Sequence, residues 1–184
     1  MKYETIEKIV KASGVRAGEL VLVHFWGEDA DKAIANRFVA AESGLDPQEY
    51  IRRMDRAYDV DYDAVRAVCT QALERFDGAS RVTVRTGDAC ALHLELSGRT
   101  WLTDAGEGDL PCGEIYIAPV ETKTNGSVFF GTFYLHDETY TDVTLQITDG
   151  EVTGSSHAAV AAQFAAMPRE NRIVCELGLG MNPN

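Results

Sequence analysis

Over the first 76 residues the apolar positions recur at helical spacing, and from Ser80 they begin to alternate with polar ones. Ile6, Ile9 and Val10 form one apolar stripe, which predicts a helix stopped at Gly14. Leu20 to Phe25 is a continuous apolar run that reads as a buried strand ending at Trp26-Gly27. Ala30, Ala33, Ile34, Phe38 and Ala41 return to helical spacing. Asp46-Pro47 opens a further helix, because the aspartate caps the first amides and proline lacks an N–H that has no helical partner there. Asp61 opens another, carrying Val65, Val68, Leu73 and Phe76 before Gly78.

After Ser80 the period is two. Val82 and Val84 alternate with arginines and threonine, Leu92, Leu94 and Leu96 with His93 and Glu95, and Val143, Leu145 and Ile147 with polar residues. Turn signals stand between these strands at Thr86-Gly87-Asp88, Ser97-Gly98-Arg99, Asn125-Gly126 and Asp149-Gly150. The Asn-Gly and Asp-Gly pairs suit hairpin turns that need positive φ. A helix of small residues over about Ser156 to Met167 is stopped by Pro168, and an apolar strand from Ile173 to Leu177 follows. The fold class predicted is α+β. A helical, small α/β part over 1–78 precedes a mainly antiparallel sheet over 79–184 with one inserted helix.

Composition narrows the classes of function. The chain has 184 residues, 45% of them hydrophobic and 25% charged, the balance of a folded domain with a real core. Its net charge of −12 repels phosphate backbones and anionic lipid headgroups, so neither nucleic acid nor a membrane surface is an expected partner. The charge is uneven: residues 1–99 carry 14 Lys/Arg against 17 Asp/Glu, and residues 100–184 carry 3 against 12. A concentration of acid in the second half fits a metal site, a cationic partner or a solvated face. The N-terminus has no continuous apolar core of a secretory signal, and no run of 18 apolar residues occurs. Cys69, Cys90, Cys112 and Cys175 are widely spaced and form no CxxC pair, which reads as reduced thiols in a cytoplasmic protein.

Two acids stand out as candidate chemistry. Glu114 follows Pro111-Cys112-Gly113 at the start of a strand, isolated from other charges. Glu176 lies between Cys175 and Leu177 in an apolar context, where a carboxylate has to be paired, protonated or metal-bound unless it faces solvent at a strand edge. The four histidines, His24, His93, His136 and His157, have no i, i+4 spacing and no motif joins them to those acids. There is no GxSxG nucleophile elbow, GxGxxG loop or Walker loop, which argues against serine hydrolases and nucleotide binding.

The stretch GRTWLTDAGEGDLPCGEIYIAPVETKTNGSVFF and the terminal CELGLGMNPN resemble the metallo-aminopeptidase family typified by thermophilic aminopeptidase T. Its Gly-Arg-x-Trp, Pro-x-Gly-Glu-x-x-x-Ala-Pro and Asn-Gly elements and its Glu-Leu-Gly-x-Gly-x-Asn-Pro element occur here in order. The likeness spans roughly residues 48–184, and the first 45 look like the opening of the family's small N-terminal domain. By this resemblance Glu114 and Glu176 occupy two ligand positions of a dinuclear metal centre, and the other ligands and the catalytic tyrosine belong to a segment beyond Asn-Pro. Two carboxylates alone hold zinc poorly. The expectation is therefore a truncated, non-catalytic relative, a pseudoenzyme with Glu114 and Glu176 as vestigial metal positions and no cofactor. It would bind a peptide or protein partner, basic in character, such as a precursor peptide in a peptide-modification pathway. Pairing to an open sheet edge is one way to hold such a partner, and a homodimer or hetero-complex would cover the edge. Two alternatives stand beside it: a zinc- or cobalt-dependent aminopeptidase completed by ligands of another chain, and a structural homodimer.

Overall fold

The computed structural model describes residues 3–12, 45–106, 108, 110–136 and 138–184. The predicted strand at Leu20 to Phe25 and the helix after Asp29, with His24, lie outside the described residues. The observed class is α+β, as the change of period indicated. In chain order come helices α1 (Tyr3–Ala12), α2 (Pro47–Tyr58) and α3 (Tyr62–Phe76). Strands β1 (Arg81–Thr86), β2 (Cys90–Glu95), β3 (Leu102–Asp104), β4 (Glu114–Ile117), β5 (Asn125–Leu135), β6 (Glu138–Thr148) and β7 (Glu151–Ser155) follow. Helix α4 (Ala158–Ala166) and strand β8 (Leu177–Gly180) complete the described elements.

The chain divides into two compact units, neither continuous in sequence. The first comprises residues 1–75, 103–115 and 179–184, and the second residues 76–102 and 116–178. In the first unit both long helices start as their sequences dictate. Asp46 Oδ1 accepts hydrogen bonds from the amides of Gln48 and Glu49, with Pro47 beside it, and Asp61 Oδ1 accepts from Asp63 and Ala64. The face that α3 buries is Tyr62, Val65 and Cys69. Val68, read from the sequence as part of the apolar face, is instead 45% exposed. The reason is angular: Cys69 continues the i, i+3, i+7 row begun by Tyr62 and Val65, and Val68 lies off it. Val60, Ala105, Cys112 and Ile115 are further buried apolar side chains of this unit among the described residues.

The second unit is built on a five-stranded antiparallel sheet in the order β1-β2-β5-β6-β7. Its core gathers Leu92, Leu94 and Leu96 with Val143, Leu145, Ile147 and Val152, and Val160 of α4 is fully buried against them. Alternation predicted most of these positions. Tyr140 joins the same core although it sits three residues before Val143, and Asp142 between them takes φ 54°, which breaks the period of two. Asp149-Gly150 makes the expected tight turn, with φ of 49° and 80°.

Two strand-level expectations are corrected. Asn125-Gly126 is not a hairpin turn but the beginning of β5, with Gly126 opposite both Leu92 and Ile147. Glycine is required there by backbone crowding, since a Cβ would stand 2.1 Å from the Ala91 carbonyl oxygen and φ is 130°. The final strand is Leu177–Gly180 and not Ile173 to Leu177. Ile173 makes only a single bridge to Glu151, and the Val174 amide is taken by the Gly150 carbonyl, so the apolar run anchors the turn and the glycine-rich segment becomes the strand. A second sheet of three strands has the order β3-β4-β8. Among the described residues no helix is long and apolar enough to cross a membrane.

Candidate functional site

Within the first unit a cavity of about 330 Å³ is lined by Asp104, Glu114, Asn182 and Asn184, together with backbone of Ala57 and the Pro111-Cys112-Gly113 loop. Its wall is fixed by hydrogen bonds between distant parts of the sequence. The Gly113 carbonyl accepts from the amides of Met181 (2.7 Å) and Asn182 (3.2 Å). The Asn182 side-chain amide donates to the carbonyls of Cys112 (2.9 Å) and Ala57 (3.1 Å), and Asn184 Nδ2 reaches the Arg56 carbonyl at 3.2 Å. Gly113 has φ 126°, and a Cβ on it would meet Val65 Cγ1 at 2.9 Å and the Asn182 amide nitrogen at 3.0 Å. Tyr58 anchors the same loop by donating its hydroxyl to the Leu110 carbonyl at 2.9 Å, before a cis bond between Leu110 and Pro111.

Glu114 is held at the first position of β4, as the Pro-x-Gly-Glu pattern led us to expect. The Cys69 thiol lies 3.7 Å from the backbone carbonyl of this half-buried residue, whose carboxylate makes no hydrogen bond or ion pair among the described residues. Asp104 is differently placed. Its Oδ1 accepts the amides of Gly106 (3.2 Å) and Gly108 (3.1 Å), so one oxygen is spent on closing its own turn. Beneath the loop, burial holds the Tyr62 phenol up at about 12, well above its ordinary value of 10.0, and raises Tyr58 as well. Both are neutral donors throughout the physiological range.

Glu176, the other acid singled out by sequence, is exposed, as is Cys175 before it, and it belongs to the second unit. The apolar surroundings inferred from Cys175 and Leu177 do not enclose it. Neither His93 of β2 nor His157, which precedes α4, is near a ligand role: His93 shares a 3.0 Å hydrogen bond with Thr83, and the His157 ring stands edge-on to Tyr140 with centroids 4.8 Å apart. Among the described residues no group of three or more His, Cys, Asp or Glu side chains is gathered to hold a metal. That donor set does not fit a dinuclear centre. None of the four cysteines forms a disulfide.

Sequence reasoning missed Asp104, Asn182 and Asn184. Signals for them were present: Asp104-Ala105-Gly106 is an Asx-turn pattern, and Asn182 stands in the same Glu-Leu-Gly-x-Gly-x-Asn-Pro element that drew attention to Glu176.

The fold has counterparts of known structure. One is wild-type AmpT from Thermus thermophilus, with a TM-score of 0.55 and 16% identity over 75% of this chain and 40% of that one. Another is 2,5-dihydroxypyridine dioxygenase from Pseudomonas putida KT2440, with a TM-score of 0.52 and 19% identity over 71% of this chain and 42% of that one. This chain thus spans about two fifths of each. No family model and no curated protein sequence matches. The likeness to AmpT is a distant structural relationship to a metallo-aminopeptidase, in line with the motif resemblance. Because a peptidase and a dioxygenase share the architecture, the fold by itself carries neither chemistry.

Proposed function

We propose that this chain is a non-catalytic peptide- or protein-binding module on an aminopeptidase-like scaffold, and that its acid-lined cavity receives a cationic group of the partner. The observation that carries this reading is the Glu114 carboxylate, half-buried, without a counter-charge among the described residues, and set in a cavity whose walls are rigidly hydrogen-bonded. A partly desolvated carboxylate gains most from a partner that brings a positive charge and hydrogen-bond donors. A peptide α-amine or a lysine ammonium does both, and Asn184 and Asp104 stand beside it to accept further donors. The volume is at the small end for ligand sites, enough for one terminal residue and not for a whole folded partner. A precursor peptide with a basic N-terminal end fits this description.

A second reading is a metallo-aminopeptidase whose remaining ligands come from outside the described residues; the structural likeness to AmpT supports it, as does the motif resemblance, which implies a ligand position at Glu114.

Calorimetric titration of the full chain with a lysine-rich peptide, free or acetylated at its N-terminus, separates the two. The binding reading expects affinity that falls with salt, is reduced by acetylation and drops about tenfold in Glu114→Gln. Metal analysis of protein purified without chelator is the complementary measurement. Stoichiometric zinc or cobalt together with hydrolysis of an aminoacyl anilide would overturn the non-catalytic reading.

A further inference from the structure

The five-stranded sheet of the second unit has two edges of different character. At the β7 edge, Glu151 is bridged to Ile173 and Gly150 accepts the Val174 amide, so the returning chain covers the start of that strand. At the other edge, among the described residues, the backbone of β1 pairs with β2 alone, and only the Thr86 hydroxyl at its end reaches β5, accepting the Phe129 amide at 2.7 Å. The Leu96 amide donates to the Ser80 carbonyl at 2.7 Å, and the register continues through Val82 opposite Leu94 and Val84 opposite Leu92. In an antiparallel ladder every second residue turns both its backbone groups to the same neighbour. The even-numbered residues of β1 therefore bond to β2, and Arg81, Thr83 and Arg85 direct their N–H and C=O groups outward.

The side chains of this edge are equally specific. Arg81, Thr83 and Arg85 are exposed on one face, while Val82 and Val84 on the other face are only half-buried at the margin of the core. In a chain of net charge −12, the segment from Ala79 to Gly87 holds two arginines and no acid. Arg81 is partly balanced by Glu95 at 3.7 Å, and Arg85 stands across from Ala91. A second copy is a poor occupant, because antiparallel pairing of two β1 strands centred on Thr83 sets Arg81 against Arg85.

We infer that the outer edge of β1 is a docking site for an extended segment with acidic residues two positions either side of its centre and apolar residues between them. Such a segment adds as a sixth strand. Its backbone takes the three outward N–H and three outward C=O groups, its acids face Arg81 and Arg85, and its apolar side chains close over Val82 and Val84. This surface is distinct from the cavity, and charge selects its occupant in the opposite sense.

The test is fluorescence anisotropy of the full chain with a labelled, acetylated Glu-Val-Thr-Val-Glu peptide and its Lys-Val-Thr-Val-Lys counterpart. The acidic probe is expected to bind at least about tenfold tighter, with the difference shrinking as salt rises. Thr83→Pro removes one outward donor while leaving every backbone β1–β2 hydrogen bond, and is expected to abolish binding, whereas Thr83→Val, which loses only the side-chain bond to His93, is expected to keep it. Arg85→Glu, on an exposed position, is expected to weaken the acidic probe about tenfold and to favour the basic one. Equal affinity for the two probes, no binding of either, or binding unaffected by Arg85→Glu would overturn the inference and leave the arginines as guards against self-pairing. Glu114→Gln should leave this binding unchanged, so failure here is separable from failure of the cavity.

Discussion

The Asn182 amide donates to the Gly113 carbonyl at 3.2 Å, and the same carbonyl accepts the Met181 amide at 2.7 Å. The Asn182 side chain then extends the grip to Cys112 on one side and to Ala57 on the other. Three segments far apart in sequence are thereby locked around the backbone that presents Glu114.

Replacing Asn182 by Ala leaves two part-buried carbonyls without that donor, and we expect a loss of about 1–3 kcal/mol in urea unfolding. Asn182→Asp is expected to be worse, since a carboxylate has no proton to offer either carbonyl. A midpoint unchanged in both variants would show that this clamp contributes nothing.

Three glycines with positive φ rank by what a methyl group would strike. Gly126→Ala meets the Ala91 carbonyl at 2.1 Å and is expected to disrupt β2–β5 pairing outright. Gly113→Ala meets a valine methyl at 2.9 Å and an amide nitrogen at 3.0 Å, which calls for a shift of the cavity wall. Gly78→Ala has open space around it and pays only the backbone term, about 1–2 kcal/mol. Thermal melts in any other order contradict the packing described here.

Core and surface leucines give a second contrast. Leu94 is 1% exposed, and Leu94→Ala should cost about 2–5 kcal/mol, whereas Leu102, 51% exposed, should tolerate alanine within about 0.5 kcal/mol. Chemical denaturation of the two variants side by side checks this.

Stability should also depend on pH through the first unit. The Lys11 ammonium hydrogen-bonded to Asp63 lowers the aspartate's pKa below 3.8 and is itself raised above 10.5. The contribution of this pair is therefore present between about pH 4 and pH 10. It fades as acid protonates Asp63 and, at the other end, as base removes the raised lysine proton. Tyr62 adds to the alkaline loss: the unfolded phenol ionises from about 10 while the buried one resists until about 12, so unfolding gains as pH rises through that window. Melting temperatures of the wild type and Asp63→Asn, compared across pH, should converge at low pH and differ slightly near neutrality, because both partners are exposed. A difference that grows on acidification would have the wrong sign.

Of the candidate site only Glu114 was legible in the sequence, alongside the helix caps that frame the first unit. Asp46 and Asp61 cap their helices as their side-chain chemistry requires, and Pro-Cys-Gly-Glu sets Glu114 at the start of its strand. For Glu176 the sequence left burial and solvent exposure both open, because apolar neighbours in sequence imply burial only if the strand continues through them. The chain here is irregular from Val174 to Glu176, and both Cys175 and Glu176 face solvent.

The sequence by itself determined the class of fold, through the change from helical period to alternation near Ser80, and the places where caps and Asp149-Gly150 turn the chain, because those effects act over a few residues. Only the tertiary structure decided that residues 103–115 and 179–184 belong with the N-terminal helices, that Asn125-Gly126 pairs within a sheet instead of turning, and that β1 ends the five-stranded sheet among the described residues. Those outcomes depend on which groups find each other across distant parts of the chain, as Gly126 finds Leu92 and Ile147 and the Asn182 side chain finds Cys112 and Ala57. No periodicity in a linear chain encodes such a meeting.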